Sequence, residues 1–441
     1  MKIPEAGSNT LDSELTQLET AIVNKITEQD WLDLTVEMVR TGQPHSVNPL
    51  DPDIPAGEEE AIALFVAGKL EAMGFTVEKF ESQPHRPNVV GTIKGSDPDA
   101  PSLMINDHLD TYPAVEPERW DKCDGNPFKA TRHGDWLYGR GTSDTRGNLA
   151  ASLLAVKAII DEGVTLKGDL VCCFTVDEEK NGPHGSIFMT QTIGLKTDYS
   201  ITAEPTAWGG ETDQWGMSIS VANAGNCLVQ VTVKGIKSHI WRPDTGVNAI
   251  TLAALLVAPL NSMPFQHEPA KLMGHTPPCV CVVRVNGGLP GEMQFSPDSC
   301  TLTLAVVGIL PGMTIESVIE NINVVVTETL VGQGAIDFDV SQVPDSLFVN
   351  GTDPISVNEE PNLSLSKAYQ KLLGETPHIN RKNAFNDTIR FNEAGINAVT
   401  FGPGEDGWAP VNEGISVPKS VAAAKIYALT IMNILGVNDE S

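Results

Sequence analysis

Apolar residues at Leu149, Leu153, Val156 and Ile160 recur every three to four positions, so the spacing predicts a helix from Leu149 to Ile160 with one buried face. Around it the apolar runs shorten to strand length, at Phe75 to Phe80, Asn88 to Ile93, Ser102 to Asn106 and Asp169 to Val176. Upstream, Leu15 to Val39 is amphipathic, and the run from Glu58 to Met73 stops at Gly74, a common helix terminator. Near the far end, Ala398 to Phe401 reads as a strand and Ser420 to Leu435 as a closing helix.

Between about Gly216 and Pro344 the pattern changes to strand Cys227 to Val233, helix Val247 to Leu260, strands Cys279 to Val285 and Cys300 to Val307, helix Ile315 to Leu330 and strand Ile336 to Val340. That βαββαβ order is the ferredoxin-like motif. A complete motif in mid-chain predicts an inserted domain whose outer strands can pair with a second copy. The expected fold is therefore α/β. Residues 1–215 and 345–441 form a catalytic domain with a mixed central sheet flanked by helices, and 216–344 an inserted α+β ferredoxin-like lid and dimerisation domain.

With 41% hydrophobic and 20% charged residues, the chain has the material for such cores. A net charge of -28 repels phosphate backbones and anionic lipid, so neither nucleic acid nor membrane is an expected partner. The first residues carry acids and lack the basic-then-apolar order of a secretory leader, which predicts a cytoplasmic location. Seven cysteines, including adjacent Cys172 and Cys173, suit reduced core thiols; the Cys279 and Cys281 pair, at strand spacing, is expected to pack in a core as well.

Chemistry concentrates at strand ends. In SLMINDHLDTYPA, His108 and Asp110 leave one face of an extended backbone, as a metal-binding imidazole and its orienting acceptor would. In LYGRGTSDTRGNLAA, Asp144 follows a glycine-rich turn, where a helix N-cap would also need an Asp. In LVCCFTVDEEKNG, the consecutive acids Asp177, Glu178 and Glu179 repel one another unless a cation is near, and Glu204 in YSITAEPT ends a further strand. A His, an Asp and several Glu, each just past a strand, converge on the carboxyl edge of an open sheet. Mixed imidazole and carboxylate donors suit zinc, manganese or cobalt.

Through HLDTYPA, YGRGTSDTRG, TVDEEKNG, AEPT and FGPG, in that order over nearly the whole chain, the sequence resembles the metallopeptidase family of acetylornithine deacetylase, succinyl-diaminopimelate desuccinylase and the glutamate carboxypeptidases. The resemblance implies that Asp144 bridges two metals, that His108 and Glu204 complete one and Glu179 serves the other, and that Glu178 is the general base. It implies that His239, in VKGIKSHIWRPDTGVNAI, steadies an oxyanion in a partner subunit of a homodimer, or of a higher oligomer.

Departures from the family pattern shape the functional expectation. The family's histidine three residues before Asn412 and Glu413 is here Ala409, whose methyl cannot ligate, so of one or two metals per chain one is favoured. An expected arginine is replaced by Ile389, with Arg390 one position on; Gln294 and Gly308 stand where an Asn and an Arg are expected. The usual carboxylate clamp is thus altered, and Trp241, Arg242, Arg390 and Trp408 become candidates for holding a small, flat, acidic substrate. The leading expectation is metal-assisted hydrolysis of a carbon–nitrogen bond. Two chemistries are weighed within it, amide cleavage by an N-acyl amino acid deacylase or peptidase and release of ammonia from an activated aromatic amine, as in nitroanthranilate aminohydrolase. A non-catalytic binding protein on the same fold is the alternative from another class.

Overall fold

A computed structural model describes residues 14–41, 56–114, 116–207, 216–272, 274, 276–404 and 411–438. Its larger sheet has eight strands, in the order Thr76–Glu81, Pro87–Ile93, Leu170–Thr175, Leu103–His108, Tyr199–Thr202, Asn397–Thr400, Ile219–Asn223 and Ile379–Lys382. The sheet is mixed. The four strands from Leu170–Thr175 to Asn397–Thr400 run parallel, while the Thr76–Glu81 and Pro87–Ile93 strands join antiparallel. A single antiparallel pair, Thr400 with Ser220, connects them to the Ile219–Asn223 strand.

Strand alternation sends successive side chains to opposite faces. Leu170, Cys172 and Phe174 enter the main core, and Val171 and Cys173 pack on the other face. Both thiols are free and buried, as reduced core cysteines should be. The helix predicted over Leu149 to Ile160 spans Gly147–Asp161 and is buried on nearly every side, because Val417–Leu435 and Glu28–Thr41 pack over it. Truncating a core side chain such as Leu149 to Ala would cost about 2–5 kcal/mol. The amphipathic stretch from Leu15 to Val39 is two helices, Gln17–Asn24 and Glu28–Thr41, interrupted where Thr27 Oγ1 bonds Asp30 instead of continuing the first.

The βαββαβ segment forms its own four-stranded antiparallel sheet, ordered Cys279–Gly287, Ser299–Ile309, Gly225–Lys234, Asp337–Gln342, with a separate core under the helices Ala249–Ser262 and Ile315–Leu330. The chain crosses between the two sheets twice, and the crossings lie side by side: Val349 N donates to Asn226 O at 2.8 Å and Thr352 N to Asn223 O at 3.0 Å. Gly225 permits that approach, since a Cβ there would lie 1.9 Å from Val349 O. One expectation fails here. Cys279 is half-buried and Cys281 exposed, because their strand is the sheet's edge and no layer among the described residues covers its outer face.

Candidate metal centre

The parallel strands deliver the donors. His108 is the last residue of its strand, Glu178 and Glu179 follow the Leu170–Thr175 strand, and Glu204 lies two residues beyond Thr202. Asp144 sits in the irregular turn Thr142–Arg146, not in an N-cap, since the next helix is capped without its side chain. The turn is held from outside. Buried Glu413 accepts hydrogen bonds from the backbone N–H groups of Gly141 (2.8 Å), Ser143 (2.8 Å) and Asp144 (3.0 Å) and from Arg140 (2.7 Å). The FGPG turn is glycine-rich for a similar steric reason: a Cβ at Gly402 would meet Asn148 at 2.2 Å and the Glu204 carbonyl at 2.6 Å.

His108 Nε2 lies 2.9 Å from Asp144 Oδ1 and 4.0 Å from Glu178 Oε2. Its Nδ1 faces Asp110, 3.1 Å from the carbonyl and 3.3 Å from the carboxylate. The same Asp110 carboxylate accepts from the backbone N–H groups of Glu178 (3.2 Å) and Glu179 (3.1 Å), so one buried acid orients the imidazole and the acidic turn together. The three consecutive acids divide. Asp177, held in a left-handed conformation, turns away to Arg86 at 2.9 Å, while Glu178 and Glu179 enter the site. A guanidinium shared with Glu59 thus explains the first of these acids, and only the other two need a cation in the site.

Ligand atoms of His108, Asp144 and Glu179 all lie within 4.8 Å of one another, the spread a single ion requires. Glu204 stands beside this group, with Oε2 hydrogen-bonded to Asn386 at 3.0 Å and 3.4 Å from Lys382 Nζ. Among the described residues, Glu179 Oε1 and Glu204 Oε1 are buried without a hydrogen-bond partner. Orphaned buried carboxylate oxygens beside an imidazole fit a divalent cation.

The electrostatics agree. Burial disfavours a charge on His108, yet hydrogen bonds to Asp110 and Asp144 outweigh it and hold the imidazole well above its ordinary value. Burial, reinforced by Glu204, raises Glu178 well above the carboxylate range, and burial with Asp144 does the same to Glu179. Burial lifts Glu204 to about 7 against the opposing charge of Lys382. Acids crowded in this way retain protons until a cation replaces them.

These groups open into a cavity of about 200 Å³. Its walls come from the end of the Ile379–Lys382 strand and the loops at the edge of the larger sheet, with Lys382, Tyr112, Asn181 and Phe385, and from strands of the smaller sheet, with Cys227, Leu228 and Val306. Arg390 does not reach it. That side chain stacks on Phe385 at 5.4 Å and bonds Glu393 and the Asn181 carbonyl. The other sequence-derived candidates lie elsewhere within a single chain. His239 is exposed, its ring edge-on to Phe295 at 5.3 Å; Trp241 is 82% exposed; Arg242 pairs with Asp244 in its own loop. Trp408 and Ala409 lie outside the described residues. Lys382, Tyr112, Asn386 and the supporting role of Glu413 escaped the sequence reading. Their signals were weak: Tyr112 lies within the HLDTYPA segment, Lys382 ends a short polar strand and Glu413 follows the family's Asn.

The family model described as Peptidase family M20/M25/M40 matches residues 104–433. N-formyl-4-amino-5-aminomethyl-2-methylpyrimidine deformylase of Bacillus subtilis (strain 168) is 28% identical over 402 residues, covering 85% of this chain and 89% of the relative. Succinyl-diaminopimelate desuccinylase of Nitrosomonas europaea is 26% identical over 347 residues, covering 78% and 86%. The crystal structure of human carnosine dipeptidase 1 superposes with a TM-score of 0.74 at 17% identity, over 96% of this chain and 99% of that one. No helix among the described residues is long and apolar enough to cross a membrane.

Proposed function

Because the chain belongs to peptidase family M20/M25/M40, a family of metal-dependent hydrolases of carbon–nitrogen bonds, we propose that it removes a small acyl group from the amine nitrogen of a low-molecular-weight substrate. One observation carries the reading: Asp144 and Glu179, which with His108 form a compact three-residue donor set, line one cavity together with the buried carboxylates Glu178 and Glu204. The relatives' names, a deformylase and a desuccinylase, support acyl removal.

His108, Asp144 and Glu179, with Glu204 alongside, would hold a divalent ion, which when bound would supply the Lewis acidity that makes water a nucleophile at neutral pH. The protein's own residues do the rest. Asp110 fixes the imidazole so that Nε2 faces the site, and aims the acidic turn through two backbone N–H groups. Glu178, whose raised affinity for a proton suits a base, takes a proton from the attacking water and delivers it to the leaving nitrogen. We assign one ion per chain, of zinc, manganese or cobalt, because the donors form one compact group and Ala409 offers no ligand.

His239 is exposed on the segment that rises from the second sheet, so its oxyanion role requires a partner subunit. We place the homodimer contact on the 216–344 unit, whose edge strand leaves Val283 and Val285 more than half exposed. A second chemistry, displacement of ammonia from an electron-poor aromatic amine, is favoured by Ala409 and by the Tyr112 and Phe385 rings in the cavity wall. Incubating zinc- or manganese-loaded protein with N-formyl, N-acetyl and N-succinyl amines and with aromatic amines separates the readings. Free amine with a new carboxylic acid supports acyl removal, ammonia without one supports the second chemistry, and neither product rejects both.

A further inference from the structure

The turn that carries Glu178 and Glu179 is gripped from two sides. On one, beside His108, the Asp110 carboxylate takes the backbone N–H groups of both residues. On the other, Arg86 and Asn88, two positions apart where the Pro87–Ile93 strand begins, reach across to the same segment. Asn88 Nδ2 donates to His184 O at 2.9 Å and its Oδ1 accepts from Val176 N at 3.1 Å, so one side chain closes the loop at both ends. Arg86 Nη2 donates to Asp177 Oδ1 at 2.9 Å, and Asp177 Oδ2 accepts from His184 N at 3.2 Å. The guanidinium is itself fixed: Nε and Nη2 donate to the two Glu59 carboxylate oxygens at 2.8 and 2.7 Å, and Nη1 donates to Gln83 at 3.2 Å. Arg86, Glu59 and Asp177 are all buried.

Asp177 is where the chain reverses. Its φ of 65° is left-handed, a conformation few residues besides glycine adopt, and the next two residues are Glu178 and Glu179. Backbone direction at Asp177 therefore sets where both carboxylates point. Resting on the role of Glu178 in the hydrolase reading above, we propose that Arg86 is a positioning residue for the reaction: through Asp177 it holds Glu178 and Glu179 at the cavity, from the side opposite Asp110. A planar guanidinium suits the task, because its fork bonds Glu59 through two N–H groups and Nη2 has a second hydrogen for Asp177.

The test compares the zinc-loaded protein with its Arg86→Met, Arg86→Lys and Asp177→Asn variants. Leu70→Ala is the control; it removes a buried side chain from the Glu60–Ala72 helix that follows Glu59 and takes no part in these hydrogen bonds. Backbone hydrogen exchange of residues 176–184 is read by mass spectrometry, and kcat and KM are measured with whichever N-formyl, N-acetyl or N-succinyl amine the unaltered protein cleaves. Arg86→Met and Asp177→Asn should each speed exchange in that segment about tenfold or more and lower kcat about tenfold or more, with KM within about threefold, since a misplacement of about 1 Å costs on the order of 10²-fold in rate. Arg86→Lys, which keeps the charge without the fork, should regain part of both, and Leu70→Ala should lower the melting temperature while leaving kcat within about twofold. The proposal is overturned if exchange and kcat in a folded Arg86→Met or Asp177→Asn protein match those of the unaltered one, if KM rises in place of a fall in kcat, or if Leu70→Ala lowers kcat as much. Where Arg86→Met does not fold, Asp177→Asn and Arg86→Lys carry the test; failure of all three to fold also overturns it, because the ion pair then serves the fold alone. Exchange is read without substrate, so a protein that releases no amine loses the hydrolase reading and is still judged here by exchange, whereas one that releases amine with unaltered exchange in the variants loses only this inference.

Discussion

The carboxyl edge of the larger sheet and the His239 to Arg242 loop were both singled out by the sequence, yet they are built in opposite ways. At the sheet edge the candidate donors are buried, or half-buried in the case of Asp144, and several are held by a second residue: His108 by Asp110, the turn of Asp144 by Glu413, Glu204 by Asn386 and Lys382. In the loop, His239 and Trp241 are exposed and Arg242 pairs with its own neighbour. Among the described residues the first region groups its side chains within one chain, whereas the role proposed for the second requires another surface. On the proposed reading, residues assigned to bond cleavage are pre-organised by the core, and those assigned to a partner contact lie in solvent.

Experiments can break or sharpen that contrast. The largest effect is expected at the base: Glu178→Gln should lower kcat by about 10²–10⁴, the range for general acid–base groups, with zinc content unchanged. Normal turnover in that variant would remove Glu178 from the mechanism. Next, His239→Ala should lower kcat by about 10²–10³ without altering metal content, as loss of an oxyanion donor does. If the loop acts across a dimer, mixing His239→Ala with Glu178→Gln chains should restore part of the activity, since one site of each mixed pair regains both residues; no recovery would confine His239 to its own chain.

Asp110→Ala removes an acceptor from the imidazole and from two backbone N–H groups, and should weaken metal binding about 10–100-fold, read by competition with a chromogenic chelator. Removing the metal should also change how stability depends on pH. Glu204 binds its proton up to about 7 when folded, against an ordinary value of 4.5, so its contribution is complete below that ordinary value and is lost as pH rises through about 7. His108, likewise raised, changes in the same direction, and Asp144, which is lowered, acts only under more acidic conditions. The chelated protein should therefore melt at progressively lower temperature from pH 5 to pH 8, with Glu204 alone worth about 3 kcal/mol, and zinc should flatten the curve. A chelated protein with a flat profile would mean the acids are not crowded. The smallest effect belongs to Trp241→Leu, which should shift stability by less than about 0.5 kcal/mol, as exposed positions do, whatever it does to the substrate's KM.

Much of the fold was legible because periodicity is a local property. The helix expected over Ile315 to Leu330 has those bounds, and the strands expected at Asn88 to Ile93, Ser102 to Asn106 and Asp169 to Val176 lie within two residues of their predicted ends, although the short Thr131–His133 and Trp136–Tyr138 strands were not anticipated. Local patterns were weaker where elements are short or their outer faces bare. The Ile379–Lys382 strand is polar and was not anticipated, and Cys281, in a strand that reads as core, lies on an uncovered edge.

The candidate donors His108, Asp144, Glu179 and Glu204 and the candidate base Glu178 could be named from the sequence alone, because strand ends and family motifs both mark them. Their convergence on one sheet edge was expected as well, but the charge pairs within it were not. Only the folded chain turns Asp177 toward Arg86 from 91 positions away, brings Glu413 to the Asp144 turn from 269 positions away, and sets Lys382 beside Glu204. Periodicity and motif spacing arise from neighbours along the chain, whereas charge pairing in a buried site depends on which strands lie side by side, and that is decided when the sheet assembles.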